Sequence, residues 1–94
     1  MADIELTRSH DRGLDGGRDV VEQVARQLET VLGVTYQWNG DTLLFEGSGA
    51  NGQIEVDADS ITILIDLSAF LQPMRERIEE EADHYLDQYL DEEE

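Results

Sequence analysis

Apolar and polar residues alternate along five segments of the chain, and this alternation predicts five β-strands. In the first strand Ile4 and Leu6 face one side, while Glu5 and Thr7 face the other. Every strand has one apolar face, which is typical of an antiparallel sheet covered on one side only. The predicted strands span residues 3–7, 34–38, 42–46, 53–57 and 61–67.

A helix is predicted between the first two strands, from about Asp19 to Leu32. Apolar residues recur there at spacings of three and four. Gly33 stands where a glycine commonly follows the end of a helix. Asp15 or Asp19 is expected to cap its start.

A second helix closes the chain, with an apolar stripe at helical spacing from about Ala69 to Leu90. Proline is tolerated in the first turn of a helix and not in its interior. Pro73 therefore predicts that this helix begins near Ser68, whose hydroxyl could cap it. Such a helix would be about 33 Å long and would overhang a sheet of about 20 Å.

Turn signals separate the middle strands. Asn39-Gly40 is a strong signal for a short hairpin. The glycine-rich residues 47–52 are expected to form the next turn. No lysine follows them and no helix begins there, so they do not predict a phosphate-binding loop.

The predicted element order is β-α-β-β-β-β-α, which is an α+β fold. A right-handed crossover through the first helix leaves strand one antiparallel to strand five, so these two can pair. We predict a five-stranded antiparallel sheet of order 2-3-4-5-1 with both helices packed on one face, similar to a reduced helix-grip fold. The 94 residues are too few for two cores. Residues 1–90 are expected to form a single domain and residues 91–94 a frayed acidic tail.

Charge limits the partners. The chain has 23 acidic and 6 basic residues, for a formal net charge of −17, and every basic residue is an arginine. Nucleic acid and anionic membrane surfaces would repel it, so neither is expected as a partner. The acidic residues are spread from Asp3 to Glu94. This spread favours a halophilic protein in a salty cytoplasm over an acidic tail or an acidic surface for a basic partner.

The chain contains no cysteine, which excludes disulfides and thiolate metal sites. Its N-terminus lacks the basic and apolar regions of a signal peptide. The longest apolar stretch, from Ile61 to Leu67, is far shorter than the roughly 20 residues that a membrane span needs. We expect a soluble, cytoplasmic protein.

Neither histidine predicts catalysis. Ser9 and His10 are neighbours on a strand, so their side chains point apart, and no third catalytic group accompanies them. His10 is better interpreted as organising a loop or contacting a partner. His84 lies near three carboxylates on one helix face, which is more typical of a solvated face than of a metal site. No cofactor and no metal are predicted.

Three segments carry a resemblance to a known family, and together they cover nearly the whole chain. With them the sequence resembles the polyhydroxyalkanoic acid system family, although it is far more acidic and has Asp11-Arg12 between His10 and Gly13. The segments are Ile4-Glu5-Leu6-Thr7-Arg8-Ser9-His10 with Gly13-Leu14; Tyr36-Gln37-Trp38-Asn39-Gly40-Asp41 with Leu43, Phe45, Gly49, Gly52, Ile54 and Val56-Asp57; and Ile78-Glu79 with Tyr85-Leu86-Asp87.

The resemblance implies a small bacterial protein associated with genes for polyhydroxyalkanoate synthesis and granules. We expect a non-enzymatic accessory protein, with the granule or its proteins as candidate partners. A module that binds a small apolar ligand and a dimerising interaction module remain alternatives. A cavity of a few hundred Å³ would favour the ligand, and an exposed apolar patch would favour an interaction.

The candidate partner surface lies mainly at the end of the last helix, whose apolar turns would overhang the sheet. The aromatic residues of the second and third strands are expected to pack under the helices, or else to line a cleft for an apolar ligand. A homodimer is expected through a sheet edge or a helix surface. The candidate residues are Tyr85, Leu86, Tyr89, Leu90, Trp38 and His10.

Overall fold

The computed structural model describes residues 2–90, and residues 91–94, predicted as a frayed tail, lie outside the described residues. The chain folds into an antiparallel sheet with helices in the α+β arrangement that its pattern predicts. The elements are β1 (Ile4–Ser9), α1 (Gly13–Leu32), β2 (Thr35–Asn39), β3 (Thr42–Glu46), β4 (Ala50–Val56), β5 (Ser60–Leu67), a 3-10 helix (Ala69–Met74) and α2 (Arg75–Leu90).

The strand order is β1-β5-β4-β3-β2, which confirms the predicted topology. Every neighbouring pair is antiparallel, and β1 pairs with β5 through Ile4 opposite Ile65. The order follows from the crossover through α1, which carries the chain from one sheet edge to the other. β1 and β2 are therefore the two edge strands.

The core lies between one sheet face and the helices. Alternate residues of β5 point inward, and Ile61, Ile63 and Ile65 have no exposed surface. The opposite face of the sheet is polar except for the half-buried Leu44 and Leu64. The helices contribute to the core Val20, Val21, Val24, Ala25, Leu28, Ile78 and Leu86.

Helix α1 begins six residues before the predicted start at Asp19, so neither predicted aspartate caps it. Arg12 is the N-cap residue and makes no side-chain capping bond. The early turns contain Gly17, where a Cβ atom would lie 2.9 Å from Val56 Cγ1 and 3.0 Å from the His10 ring. This close packing requires a glycine, so tertiary contact outweighs the poor helix propensity of glycine. At the other end, Gly33 adopts a φ of 70° and its N–H bonds to Glu29, as predicted.

The last helix was predicted to begin near Ser68, and helical structure does begin after Ser68, but its first six residues are not α-helical. A 3-10 helix containing Pro73 comes first, and α2 begins only at Arg75. Ser68 makes no side-chain capping bond. With 16 residues, α2 is about 24 Å long, which is close to the span of the sheet.

The turns differ in detail from their prediction. In the first hairpin the two turn residues are Gly40 and Asp41, and Gly40 has a φ of 65°, as a type II′ turn requires at that position. The glycine-rich segment is only partly a turn, because β4 already begins at Ala50. Gly52 lies within β4, where a Cβ atom would overlap the carbonyl oxygen of Leu64.

Candidate functional site

An apolar cleft lies between the end of α1 and the 3-10 helix. Its volume is about 670 Å³. Ser48, Arg77 and Glu81 stand at its polar rim. The apolar cleft is lined by Val31, Leu32, Gly49, Phe70, Leu71, Met74 and Ile78.

Three large apolar side chains of the apolar cleft are exposed to solvent. The exposed fraction is 69% for Phe70, 48% for Val31 and 45% for Met74. Leaving such side chains in water forgoes about 25 cal/mol for each Å² of apolar surface that burial would remove. A contiguous patch of this kind is typical of an interaction surface.

The 3-10 helix is held against the sheet by polar contacts at its start. The Ser68 N–H donates to the Gly49 carbonyl at 2.9 Å. Asp3 accepts from the Leu67 N–H at 2.8 Å and from Gln72 Nε2 at 2.9 Å. These bonds, the Leu67 N–H first, hold the pKa of Asp3 below its usual value. The chain direction after β5 is therefore fixed.

Gly49 lets the 3-10 helix approach closely. A Cβ atom at Gly49 would lie 2.7 Å from Leu71 Cδ1 and 3.5 Å from Phe70 Cζ. The floor of the apolar cleft thus depends on a glycine in the β3–β4 turn. In the sequence, Gly49 was interpreted as a turn residue and as part of the family resemblance, and its contact with the 3-10 helix was not predicted.

The predicted partner surface at the end of α2 is mostly covered, and the predicted overhang is wrong. Leu86 has no exposed surface. Tyr85, Tyr89 and Leu90 are half-buried and pack against the core. Tyr89 also accepts a hydrogen bond from Gln27 Nε2 of α1 at 3.2 Å.

The end of β1 and the loop between β1 and α1 contact the same end of α2. Arg8 forms ion pairs with Asp83 and Asp87, and the Arg12 guanidinium donates to the Leu90 carbonyl. Arg8 of β1 and Arg12 of the loop therefore cover part of the helix end that was predicted to be free. Of the four candidate residues of the last helix, one is therefore buried and three are half-buried.

His10 organises the loop after β1. Its Nδ1 accepts the Arg12 N–H at 3.1 Å, and its Nε2 lies 3.1 Å from the Asp57 carbonyl oxygen. This pair of contacts fits a neutral ring that carries its proton on Nε2. Both nitrogens are thus engaged by backbone groups.

Trp38 belongs to an aromatic row on β2 that packs against α1. Its indole N–H donates to Glu22 at 2.9 Å, and the Tyr36 hydroxyl donates to the same carboxylate at 2.8 Å. Arg18 stacks on the Trp38 ring at 4.2 Å. Phe45 is buried in the core. These aromatic side chains pack under the helix, and the apolar cleft lies elsewhere.

His84 is exposed on α2, with its ring centroid 6.1 Å from that of Tyr85. Two of the nearby carboxylates have other partners, since Glu81 accepts from the Tyr85 hydroxyl and Asp87 pairs with Arg8. Within residues 2–90 no three histidine, aspartate or glutamate side chains are grouped as a metal would need.

A family model described as "Putative polyhydroxyalkanoic acid system protein" matches residues 4–90 of the chain. The chain belongs to this family. Neither a curated protein nor a solved structure matches it. All residues that line the apolar cleft lie inside the region that matches the polyhydroxyalkanoic acid system family. In the part of the chain that the structure describes, no helix is both long and apolar enough to cross a bilayer.

Proposed function

We propose that the protein is a non-enzymatic accessory protein of polyhydroxyalkanoate metabolism, acting in the cytoplasm, that attaches to polyester granules through the apolar cleft. The exposure of Phe70, Met74 and Val31 around one cleft carries this proposal. The family description, which refers to a polyhydroxyalkanoic acid system, supports a polyester as the class of partner.

The charge of the protein is compatible with such a partner. A polyester chain has no formal charge, so the net charge of −17 is not repelled by like charges on it. Arg77 at the rim provides guanidinium donors for ester carbonyl groups. On binding, the apolar side chains of the cleft would bury apolar surface against the polyester, and the polar residues at its rim would make polar contacts with it.

The non-enzymatic part of the proposal is supported by the engagement of His10. A general base needs a ring nitrogen within reach of its substrate, and both nitrogens of His10 already contact backbone groups. We therefore expect His10→Ala to leave granule attachment unchanged, provided that the variant stays folded.

Co-sedimentation with purified polyhydroxyalkanoate granules tests the proposal. The double variant Phe70→Gln, Met74→Gln should lose most of the attachment, because it removes the exposed apolar surface. The matched double variant Leu44→Gln, Leu64→Gln changes the opposite sheet face and should still attach. Equal attachment of both variants, or none by the unaltered protein, would refute granule binding through the apolar cleft.

A small apolar ligand is a second candidate, and the cleft volume favours it. About 670 Å³ lies within the range of roughly 300–1,000 Å³ that is usual for ligand pockets. Titration with short soluble hydroxyalkanoate oligomers separates the candidates. Saturable binding of oligomers without attachment to granules would support the ligand module instead.

A further inference from the structure

Strand β2 leaves one edge of the sheet open. Within the described residues, no backbone hydrogen bond from a loop reaches Thr35–Asn39. The other edge strand, β1, carries Glu5 and Arg8, and charges of this kind discourage edge-to-edge pairing. Strand β2 has no charged residue, no proline and no bulge. It is a neutral, extended edge on a chain whose net charge is −17.

The register of the hairpin determines which backbone groups face outward. Asn39 and Thr42 close the two-residue turn, and the closing pair of such a hairpin is hydrogen-bonded. Bonded and non-bonded pairs then alternate along an antiparallel ladder. Gln37 therefore bonds to β3, whereas Tyr36 and Trp38 direct their N–H and C=O groups toward the open edge.

We propose that β2 pairs antiparallel with β2 of a second copy of this chain, with Gln37 on the two-fold axis. In this register Tyr36 of each copy lies opposite Trp38 of the other. Each such pair exchanges two N–H···O=C bonds, so the four outward groups of each copy are all satisfied. The edge is self-complementary, and the two sheets become one continuous sheet.

The side chains fit the same register. Tyr36 and Trp38 are half-buried within one copy, so pairing covers more of their surface. Cross-strand aromatic pairs add about 0.2–1 kcal/mol each. Gln37 is exposed on the other sheet face and would lie about 5 Å, between Cβ atoms, from its symmetry mate. Since the apolar cleft involves none of these residues, this inference does not depend on granule attachment.

Sedimentation equilibrium in about 0.15 M KCl tests the pairing, because a Debye length of about 8 Å screens the distant charges of the two chains more than charges about 5 Å apart. The unaltered protein should form a dimer as its concentration rises. Gln37→Glu and Gln37→Arg should each favour the monomer, because like charges then face each other across the axis. An equimolar mixture of the two variants should restore the dimer. The matched control Gln88→Glu, on the exposed face of α2, should dimerise like the unaltered protein.

Cross-linking gives an independent measurement, because the chain has no cysteine of its own. Gln37→Cys should form a disulfide-linked dimer on oxidation, and Gln88→Cys should not. A monomer at every concentration, or a dimer that persists in both charge variants, would overturn the proposal. It would also be overturned if the mixed variants failed to associate or Gln37→Cys failed to cross-link.

Discussion

The carboxylate of Glu22 on α1 accepts the indole N–H of Trp38 on β2, with 2.9 Å between Oε1 and Nε1. The Tyr36 hydroxyl donates to the other oxygen of the same carboxylate. These bonds, that from Trp38 first, hold the pKa of Glu22 below its usual value of 4.5. One carboxylate therefore fastens the edge strand to the helix and orients both aromatic side chains.

Glu22→Gln should lower the free energy of unfolding by about 1–2 kcal/mol at neutral pH, since hydrogen bonds to a charged acceptor weaken when the charge is removed. The ionised form is favoured in the folded state. Its contribution is thus present above the usual pKa and is lost as the pH falls through the depressed folded value. In urea unfolding at several pH values, the free energies of unfolding of the unaltered protein and of Glu22→Gln should converge in acid. Glu29→Gln, exposed on the same helix, should show little change at any pH.

Gly52→Ala should destabilise the protein by about 3 kcal/mol or more, because the added methyl group overlaps the Leu64 carbonyl oxygen and lies 3.0 Å from Phe45 Cζ. Asn51→Ala, at the neighbouring exposed position of β4, should change stability by about 0.5 kcal/mol or less. Chemical denaturation measures both. Similar midpoints for the two variants would contradict this close packing.

The sheet could be predicted because each strand alternates and because crossover handedness leaves few topologies. Helix boundaries were less predictable. Local propensity alone predicts that Gly17 lies in a loop. The helix needs a glycine there because the position packs against Val56 and His10, and the contact with Val56 joins residues far apart in the sequence.

The apolar cleft could not be predicted from spacing. Met74 fits the apolar stripe of a continuous α-helix, but it belongs to a 3-10 helix. With three residues per turn instead of 3.6, the stripe rotates and Met74 turns outward. The exposure of Phe70 had a sequence signal, since it lies beside that stripe. No sequence signal indicated that the end of α2 is covered, because its ion pairs with Arg8 join residues far apart in the chain.

Leu86→Ala should cost about 3 kcal/mol, because Leu86 has no exposed surface and its truncation leaves a cavity. Phe70→Ala should cost less than about 1 kcal/mol, since most of that side chain is already in water. Thermal unfolding of both variants distinguishes a core residue from a surface residue. A larger loss of stability for Phe70→Ala than for Leu86→Ala would indicate that the last turns of α2, rather than the 3-10 helix, form the exposed interaction surface.

Salt should stabilise this protein. Ion pairs such as Arg8–Asp83 and Arg18–Asp41 weaken when ions screen them, but with 23 acidic against 6 basic residues most acidic groups feel net repulsion. At molar salt the Debye length falls to about 3 Å, so the loss of repulsion outweighs the loss of a few surface pairs. We expect a gain of about 2 kcal/mol between dilute buffer and molar KCl, on the order of 10 °C in Tm for a domain of this size. Differential scanning calorimetry checks this, with sucrose as an uncharged control for effects other than screening.

The double variant Glu79→Gln, Glu80→Gln should show a smaller rise in Tm with KCl, because less repulsion is left to screen. A Tm that stays flat or falls with KCl would contradict the adaptation of the acidic surface to a salty cytoplasm.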